Sequence, residues 1–155
     1  GELILSIRLS VVVPVYRSQA TLPELHRRLV AALEPVEPSF EILLVEDCGG
    51  DDSWSVIQSL AAADSRVRGI QLSRNFGQHA ATICGFAQAH GQWIATLDDD
   101  LEQAPENLPD LYRKMWARGT AGTTIPLDLL RGHDKQRVDV KSMNRLDHLK
   151  LKSTF

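Results

Sequence analysis

The chain has 155 residues, 43% of them hydrophobic and 24% charged, with a net charge of −3 at neutral pH. These values describe one soluble globular domain that can bury a core of its own, and they give no global argument for nucleic acid or an anionic membrane as partner. No signal peptide is visible, and no run approaches the ~20 apolar residues of a membrane-spanning helix. Cys48 and Cys84 show no metal-type spacing and read as free thiols of a reducing cytosol.

Residues 9–15 (LSVVVPV) form a compact β-branched run, a first buried strand. Pro14 has no N–H for a sheet ladder, so the strand is expected to end or meet an edge there. Residues 16–20 read as a loop. Thr21-Leu22-Pro23-Glu24 has the spacing of a capping box, with proline tolerated in the first turn. Leu22, Leu25, Leu29 and Leu33 then recur at helical spacing until Pro35 and Pro38 close the helix. Residues 40–45 (FEILLV) are a second strand that ends in Glu46-Asp47. Residues 48–53 form a turn rich in glycine and helix-capping residues. Trp54, Ile57 and Leu60 mark the inner face of a second helix that runs out near Asp64.

Residues 67–72 read as a third strand, 73–77 as a loop, and 78–90 as a small-residue helix able to pack closely, with Gly91 as its left-handed cap. A fourth strand, Trp93-Ile94-Ala95-Thr96-Leu97, runs straight into Asp98-Asp99-Asp100. A fourth helix starts at Pro105 or Asn107 and ends at Gly119. Its stripe of Leu108, Leu111, Tyr112, Met115 and Trp116 is assigned to the core. Residues 120–155 change character, with seven Lys/Arg against four Asp/Glu and a weak helical pattern at Val138, Met143, Leu146 and Leu149. They are expected as a loosely attached tail or a late helix. Four strand–helix units in succession predict a three-layer α/β/α domain around a mostly parallel, doubly wound sheet.

In such a sheet the ends of strands two and four lie on one carboxyl edge, where open α/β sheets bind ligands. Glu46, Asp47, Asp98, Asp99 and Asp100 gather there, and the loops carrying Arg17, Arg74 and Asn75 open on the same crevice. Hard carboxylate oxygens on that edge suit Mg²⁺ or Mn²⁺, and an arginine suits phosphate. Two plainer readings compete: a solvated acidic loop that caps the next helix, and Arg74 pairing with Asp47 or Asp98 as a structural ion pair. There is no G-x-x-x-x-G-K-[ST], no G-x-G-x-x-G after strand one, no H-E-x-x-H and no G-x-S-x-G. A P-loop, a classical dinucleotide fold, a zinc site and a serine-hydrolase elbow are therefore disfavoured. His79, at the start of the third helix, could touch a ligand phosphate or simply cap or pack. Receiver-like signalling domains also gather acids on such an edge, but they need an acidic pair after strand one, and here strand one ends in Pro-Val-Tyr.

VVVPVY (11–16), FEILLVEDCGGDDSW (40–54), LSRNFGQHAA (72–81), the small-residue helix to Gly91 and TLDDDLEQAPENLPDL (96–111) follow one another in order. Together they resemble the inverting family 2 glycosyltransferases of the GT-A fold. The closest likeness is to the branch that uses polyprenyl phosphates, such as dolichyl-phosphate mannosyltransferases and undecaprenyl-phosphate glycosyltransferases. The resemblance covers residues 8–119 as a nucleotide-sugar-binding core.

It implies that Asp98 and Asp100 are the outer carboxylates of a D-x-D motif that binds the nucleotide ribose and a metal–diphosphate, with Asp99, the variable middle position, also counted among the nucleotide-sugar-binding residues. It further implies that Asp47 recognises the base, with Glu46 standing where aspartate is more usual, and that Pro14, Val15 and Tyr16 line the base pocket. Arg74 and Asn75 match an R-N-x-G loop near the nucleotide. By the same resemblance the cofactor is Mg²⁺ or Mn²⁺. The donor is a UDP- or GDP-sugar and the acceptor a lipid phosphate, and the place of work is the cytoplasm at the inner face of the membrane, with peripheral association. Glu102 departs mildly from the family pattern, which more often has glutamine there.

Residues 120–155 do not resemble the second half of the family, which carries the acceptor pocket and the presumed base. The chain reads as a C-terminally truncated donor half. It would then be a nucleotide-sugar-binding remnant if it does not turn over, with exposed apolar surface that would favour a homo-dimer or aggregation.

Overall fold

A computed structural model of the chain describes residues 7–118, 124–131 and 134–141, with side chains described for residues 7–117. The order is β1 (Leu9–Val15), α1 (Leu22–Leu33), β2 (Phe40–Glu46), α2 (Ser53–Ala63), β3 (Val67–Gln71), α3 (Gln78–Gln88) and β4 (Trp93–Thr96). A 3-10 turn at Pro105–Asn107 then leads into α4 (Leu108–Arg118), and β5 (Thr124–Arg131) and β6 (Asp134–Lys141) follow. The first four strands form one sheet in the order β3-β2-β1-β4, every neighbouring pair parallel. The β1 and β2 runs are buried along their whole length, as strands covered on both faces must be.

One face of the sheet carries α1, α2 and α4. Leu22, Leu25, Leu29 and Leu33 of α1, Ile57 of α2, and Leu108 and Tyr112 of α4 pack there on Val11, Val13, Val15, Ile42 and Leu44. Burying a leucine of this kind contributes about 1.5–3 kcal/mol. The other face carries α3, whose Ala81, Cys84 and Phe86 meet Val12, Leu43 and Val45. A Cβ added at Gly85 would lie 2.3 Å from Val12 Cγ1, so the small residues of α3 do bring it down onto β1. The expected three-layer arrangement is therefore present.

Four local expectations change. Thr21 stands at the N-terminus of α1 but makes no side-chain cap bond. Its hydroxyl donates instead to the Asp99 carbonyl at 2.7 Å, while Glu24 pairs with Arg27. Gly91 is not a left-handed cap: α3 ends at Gln88 and passes through Ala89 in an extended conformation. Glycine is needed at 91 for space, because a Cβ there would lie 2.6 Å from the Ser10 nitrogen. Trp116 is 56% exposed rather than core, and the Arg8 guanidinium lies 5.4 Å over its ring. Val138 lies in a strand, not a late helix: β5 and β6 pair antiparallel in a separate two-stranded sheet. The other positions of that helical pattern, Met143, Leu146 and Leu149, lie outside the described residues.

Two polar clusters tie the layers together. At the amino edge of the sheet Glu41 is buried to 2% exposure. It accepts from the Ser10 hydroxyl at 2.7 Å, the His90 N–H at 2.7 Å and Arg68 Nη1 at 3.0 Å. Burial pushes its carboxyl up, and the His90, Ser10 and Arg68 bonds outweigh that, so it sits below the ordinary carboxylate value. Arg68 Nη1 also donates to the Gln88 carbonyl at the end of α3, where a cation is favoured.

On the other face of the sheet, Asp64 accepts from Arg66 Nε at 2.9 Å and meets His26 Nε2 of α1 at 2.9 Å. The Arg66 guanidinium holds the Asp64 carboxyl well below the usual carboxylate range. A carboxyl depressed in the folded state adds stability above its unfolded value, and that stability is lost as pH falls through the folded value. Asp64→Asn is therefore expected to cost about 1–2 kcal/mol at neutral pH. The gap to wild type should narrow as pH drops below about 4, read from urea midpoints at pH 7 and pH 3.

Candidate functional site

Residues of β1 alternate between its two neighbours. The Asp47 N–H bonds the Val15 carbonyl at 2.9 Å on the β2 side, and the Leu97 N–H bonds the Val12 carbonyl at 3.1 Å on the β4 side. Pro14 is the next position to face β4 and has no N–H to give. The β1–β4 ladder ends at Val12↔Thr96, while the β1–β2 ladder runs on to Val15↔Glu46. The strand therefore does not stop at Pro14; only its pairing with β4 does. β1 and β4 part at the point where the strand order reverses, which is where open α/β sheets form their ligand crevice.

A cleft of about 120 Å³ opens there, lined by Pro14, Val15, Tyr16, Asp47, Gln78, Asp98, Asp99 and Asp100. Seven of these eight were expected from the sequence. Gln78 was missed: it follows the R-N-F-G loop at the first turn of α3, and its Nε2 donates to Asp98 Oδ1 at 2.9 Å. Tyr16 is 45% exposed at the rim, and the Arg17 guanidinium lies 5.2 Å over its ring.

The acids on this edge differ in what they hold. Asp47 is 3% exposed, and its two oxygens accept the N–H groups of Phe76 at 2.8 Å and Gly77 at 2.9 Å. It thus fixes the loop between β3 and α3. Asp99 accepts from the Tyr16 N–H at 2.8 Å and from the Ser18 hydroxyl. Asp98 and Asp100 are less engaged. Each uses Oδ1 for one bond, to Gln78 and to the Glu102 N–H (3.0 Å) respectively, and Oδ2 takes no hydrogen bond from another described residue. Burial and the neighbouring Asp100 and Asp99 charges push the Asp98 carboxyl up, against the pull of Gln78.

Among the described residues no three His, Cys, Asp or Glu side chains converge as a ready-made metal cluster. Two hard carboxylates with a free oxygen each fit a cation that completes its shell with water and substrate oxygens, as Mg²⁺ does.

Several candidates from the sequence do not line the cleft. Glu46 is 2% exposed and turned inward; Oε1 accepts from the Gly49 N–H at 2.8 Å and Oε2 is buried without a donor. Arg74 lies 4.7 Å over the Phe76 ring, not in an ion pair with Asp47 or Asp98. Asn75 is exposed beside it. Arg17, too, turns aside, and its Nε donates to the Gly49 carbonyl at 2.9 Å. Ser18 reads in the sequence only as part of a loop and Thr21 as a helix cap, so neither points to the site. Among the described residues no helix is long and apolar enough to cross a membrane.

Residues 10–150 match the model of the family described as Glycosyl transferase family 2. An undecaprenyl-phosphate 4-deoxy-4-formamido-L-arabinose transferase of Sodalis glossinidius is 46% identical over 105 residues, covering 67% of this chain and 32% of the relative. The protein of the same name from Pseudomonas syringae pv. syringae is 47% identical over 105 residues, covering 67% and 31%. The chain thus spans about a third of the length of the curated relatives it matches. Among solved structures, S. aureus TarS 1-349 in complex with UDP-GlcNAc aligns with a TM-score of 0.59 at 24% identity, over 71% of this chain and 31% of that one. The mannosyltransferase PcManGT from Pyrobaculum calidifontis, in complex with GDP-Man and Mn²⁺, aligns with a TM-score of 0.63 at 18% identity, over 74% and 34%. These likenesses show the GT-A fold.

The two bonds on Asp47 predict that even the isosteric Asp47→Asn is disruptive, since its amide nitrogen would face an N–H donor. A loss of about 1–3 kcal/mol is expected in denaturant unfolding, with faster amide exchange at Phe76 and Gly77. An unchanged midpoint would mean that the clamp carries no weight.

Proposed function

The chain belongs to glycosyl transferase family 2, and on that premise we propose that the crevice between β1 and β4 receives the nucleotide diphosphate of a sugar donor. The observation that carries this reading is the convergence of Tyr16, Asp47, Asp98 and Asp100 on the one edge where β1 and β4 part. Pro14, Val15 and Tyr16 form the wall for the nucleoside, with Asp47 beneath it. Asp98 takes the ribose side, and the open oxygens of Asp98 and Asp100 hold Mg²⁺ or Mn²⁺. When bound, such an ion neutralises the charge that develops on the departing diphosphate. Arg74 and Asn75 lie outside the cleft, exposed on the loop that Asp47 fixes, and would meet phosphate oxygens only by turning toward it.

The acceptor is a polyprenyl phosphate, the class for which the undecaprenyl-phosphate relatives are named. Its phosphate oxygen attacks the anomeric carbon from the face opposite the nucleotide. A new carbon–oxygen bond forms, the bond to the diphosphate breaks, and the configuration inverts. An anionic phosphate needs no strong base to act as nucleophile.

A second reading, for these residues taken alone, is a donor-binding unit without turnover. The two part on one assay: sugar transfer from a UDP- or GDP-sugar to undecaprenyl phosphate by this chain alone. Product supports the first reading, and donor binding without product the second.

Calorimetric titration with UDP-glucose and GDP-mannose, with and without Mn²⁺, tests the site itself. Binding to one donor is expected to strengthen with Mn²⁺ and to weaken by roughly tenfold or more in Asp98→Asn and in Asp100→Asn, as loss of a charged ligand bond implies. Binding indifferent to both substitutions would remove the metal assignment.

A further inference from the structure

The three consecutive aspartates do not share one job. We infer that Asp99 is a positioning residue: a latch that fixes the β1–α1 loop against the acidic turn, so that the nucleoside wall and the phosphate wall of the crevice are held at one spacing. The inference rests on the reading of the crevice as a nucleotide-diphosphate site, and it assigns Asp99 no direct bond to nucleotide or metal.

The contacts separate Asp99 from its neighbours. Its Oδ2 accepts both the Tyr16 N–H at 2.8 Å and the Ser18 hydroxyl, and its carbonyl accepts the Thr21 hydroxyl at 2.7 Å. These bonds span 83, 81 and 78 residues of chain. Asp98 and Asp100 each spend one oxygen on a single bond, to Gln78 and to the Glu102 N–H, and among the described residues the other oxygen takes none. In the one triplet, the outer carboxylates are available to a ligand and the middle one is committed to the protein.

The loop that Asp99 holds is also fastened from the far side. Arg17 Nε reaches the Gly49 carbonyl at 2.9 Å, the Ser18 N–H reaches Ser53 Oγ at 2.9 Å, and Gln19 Oε1 accepts the Asp52 N–H at 2.8 Å. Asp99 closes this belt on the β4 side. Arg17 and Leu101 flank the latch with φ of 50° and 62°. Side-chain-bearing residues stay in that region only where surrounding bonds over-determine them.

The functional consequence follows from where the walls originate. Tyr16 comes from the end of β1, and Asp98 and Asp100 come from the end of β4, past the point where the two strands stop pairing. No ladder bond sets their separation there, and Asp99 does. A site whose walls are already at the right distance avoids the ordering cost that a ligand would otherwise meet.

Charge and geometry can be separated at this position. The amide oxygen created by Asp99→Asn keeps two lone pairs and can accept both latch bonds, although the charge is gone. The test is titration of UDP and GDP, with and without Mn²⁺, into wild type, Asp99→Asn, Asp99→Ala and Ser18→Ala, with NMR amide exchange at Tyr16 in parallel. Asp99→Asn is expected to stay within about threefold of wild type, whereas Asp99→Ala loses about tenfold in nucleotide affinity and exchanges Tyr16 at least about tenfold faster.

Asp99→Asn losing as much affinity as Asp99→Ala would overturn the inference, because it marks a charged ligand. So would a Tyr16 amide that exchanges at the wild-type rate in Asp99→Ala. Should Asp99→Ala not fold, Ser18→Ala decides: it leaves all three carboxylates in place, and unchanged affinity and unchanged exchange there would equally overturn the latch. If wild type binds neither nucleotide, the reading of the crevice fails, and the exchange arm still decides whether Asp99 holds the loop.

Discussion

Strand β1 is hydrogen-bonded on both sides as far as Val12, and beyond that point Pro14 has no N–H to offer β4. A central strand that loses one neighbour while keeping the other must leave a gap on one side of its end. Everything that makes the site lies around that gap. The β1–α1 loop crosses it, the triplet of aspartates drops into it from β4, and Gln78 looks across from α3. The apolar strength of the sheet makes the gap tolerable, since β1 and β2 are buried end to end and clamped between α1 on one face and α3 on the other.

The two edges of the sheet are built on opposite plans. At the amino edge, Glu41 is buried and receives Ser10, Arg68 and the His90 N–H, a closed network that fixes the turn before β4. At the carboxyl edge three residues other than glycine hold positive φ: Arg17 after β1, Cys48 after β2 and Leu101 after β4. Such backbone costs of order 1–3 kcal/mol at each position and collects where a structure is bent to a purpose. Glu46 adds to the same edge a buried oxygen with no donor, a further departure from the usual satisfaction of interior polar atoms. Satisfied charge marks one end, and strain and open carboxylates mark the other.

The elements that were legible in the sequence are those whose pattern is set by burial. The continuous apolar runs of β1 and β2, the leucine stripe of α1 and the small residues of α3 each state which neighbours they need, and the sheet follows from them. The convergence of Asp47 with Asp98, Asp99 and Asp100 was legible for the same reason, because topology alone brings strand ends together. What could not be read was the use of a residue by a distant partner. Thr21 has every local sign of a capping residue, yet its hydroxyl serves Asp99. Gly91 follows a helix, yet its role is to let β1 pass within contact of its backbone. Trp116 falls on the apolar stripe of α4, yet its ring is exposed and lies under Arg8. Arg17 and Arg74 sit on the expected edge but turn to Gly49 and Phe76. Side-chain direction at a loop is set by contacts that no spacing rule contains.

The bond from the Tyr16 amide to Asp99 also has a bearing on how the molecule assembles. It joins positions 83 residues apart, across a loop whose closure is entropically costly. β1, β2 and β3 can pair with short connections among themselves, whereas β4 must return to the far side of β1 and contributes only a four-residue ladder there. The sheet therefore has a local part and a non-local part, and the crevice exists only where the second joins the first. During synthesis the chain can bury most of its core before residue 99 exists. The site cannot be complete until β4 has joined β1, and it is the first thing that a loosened fourth strand would give up.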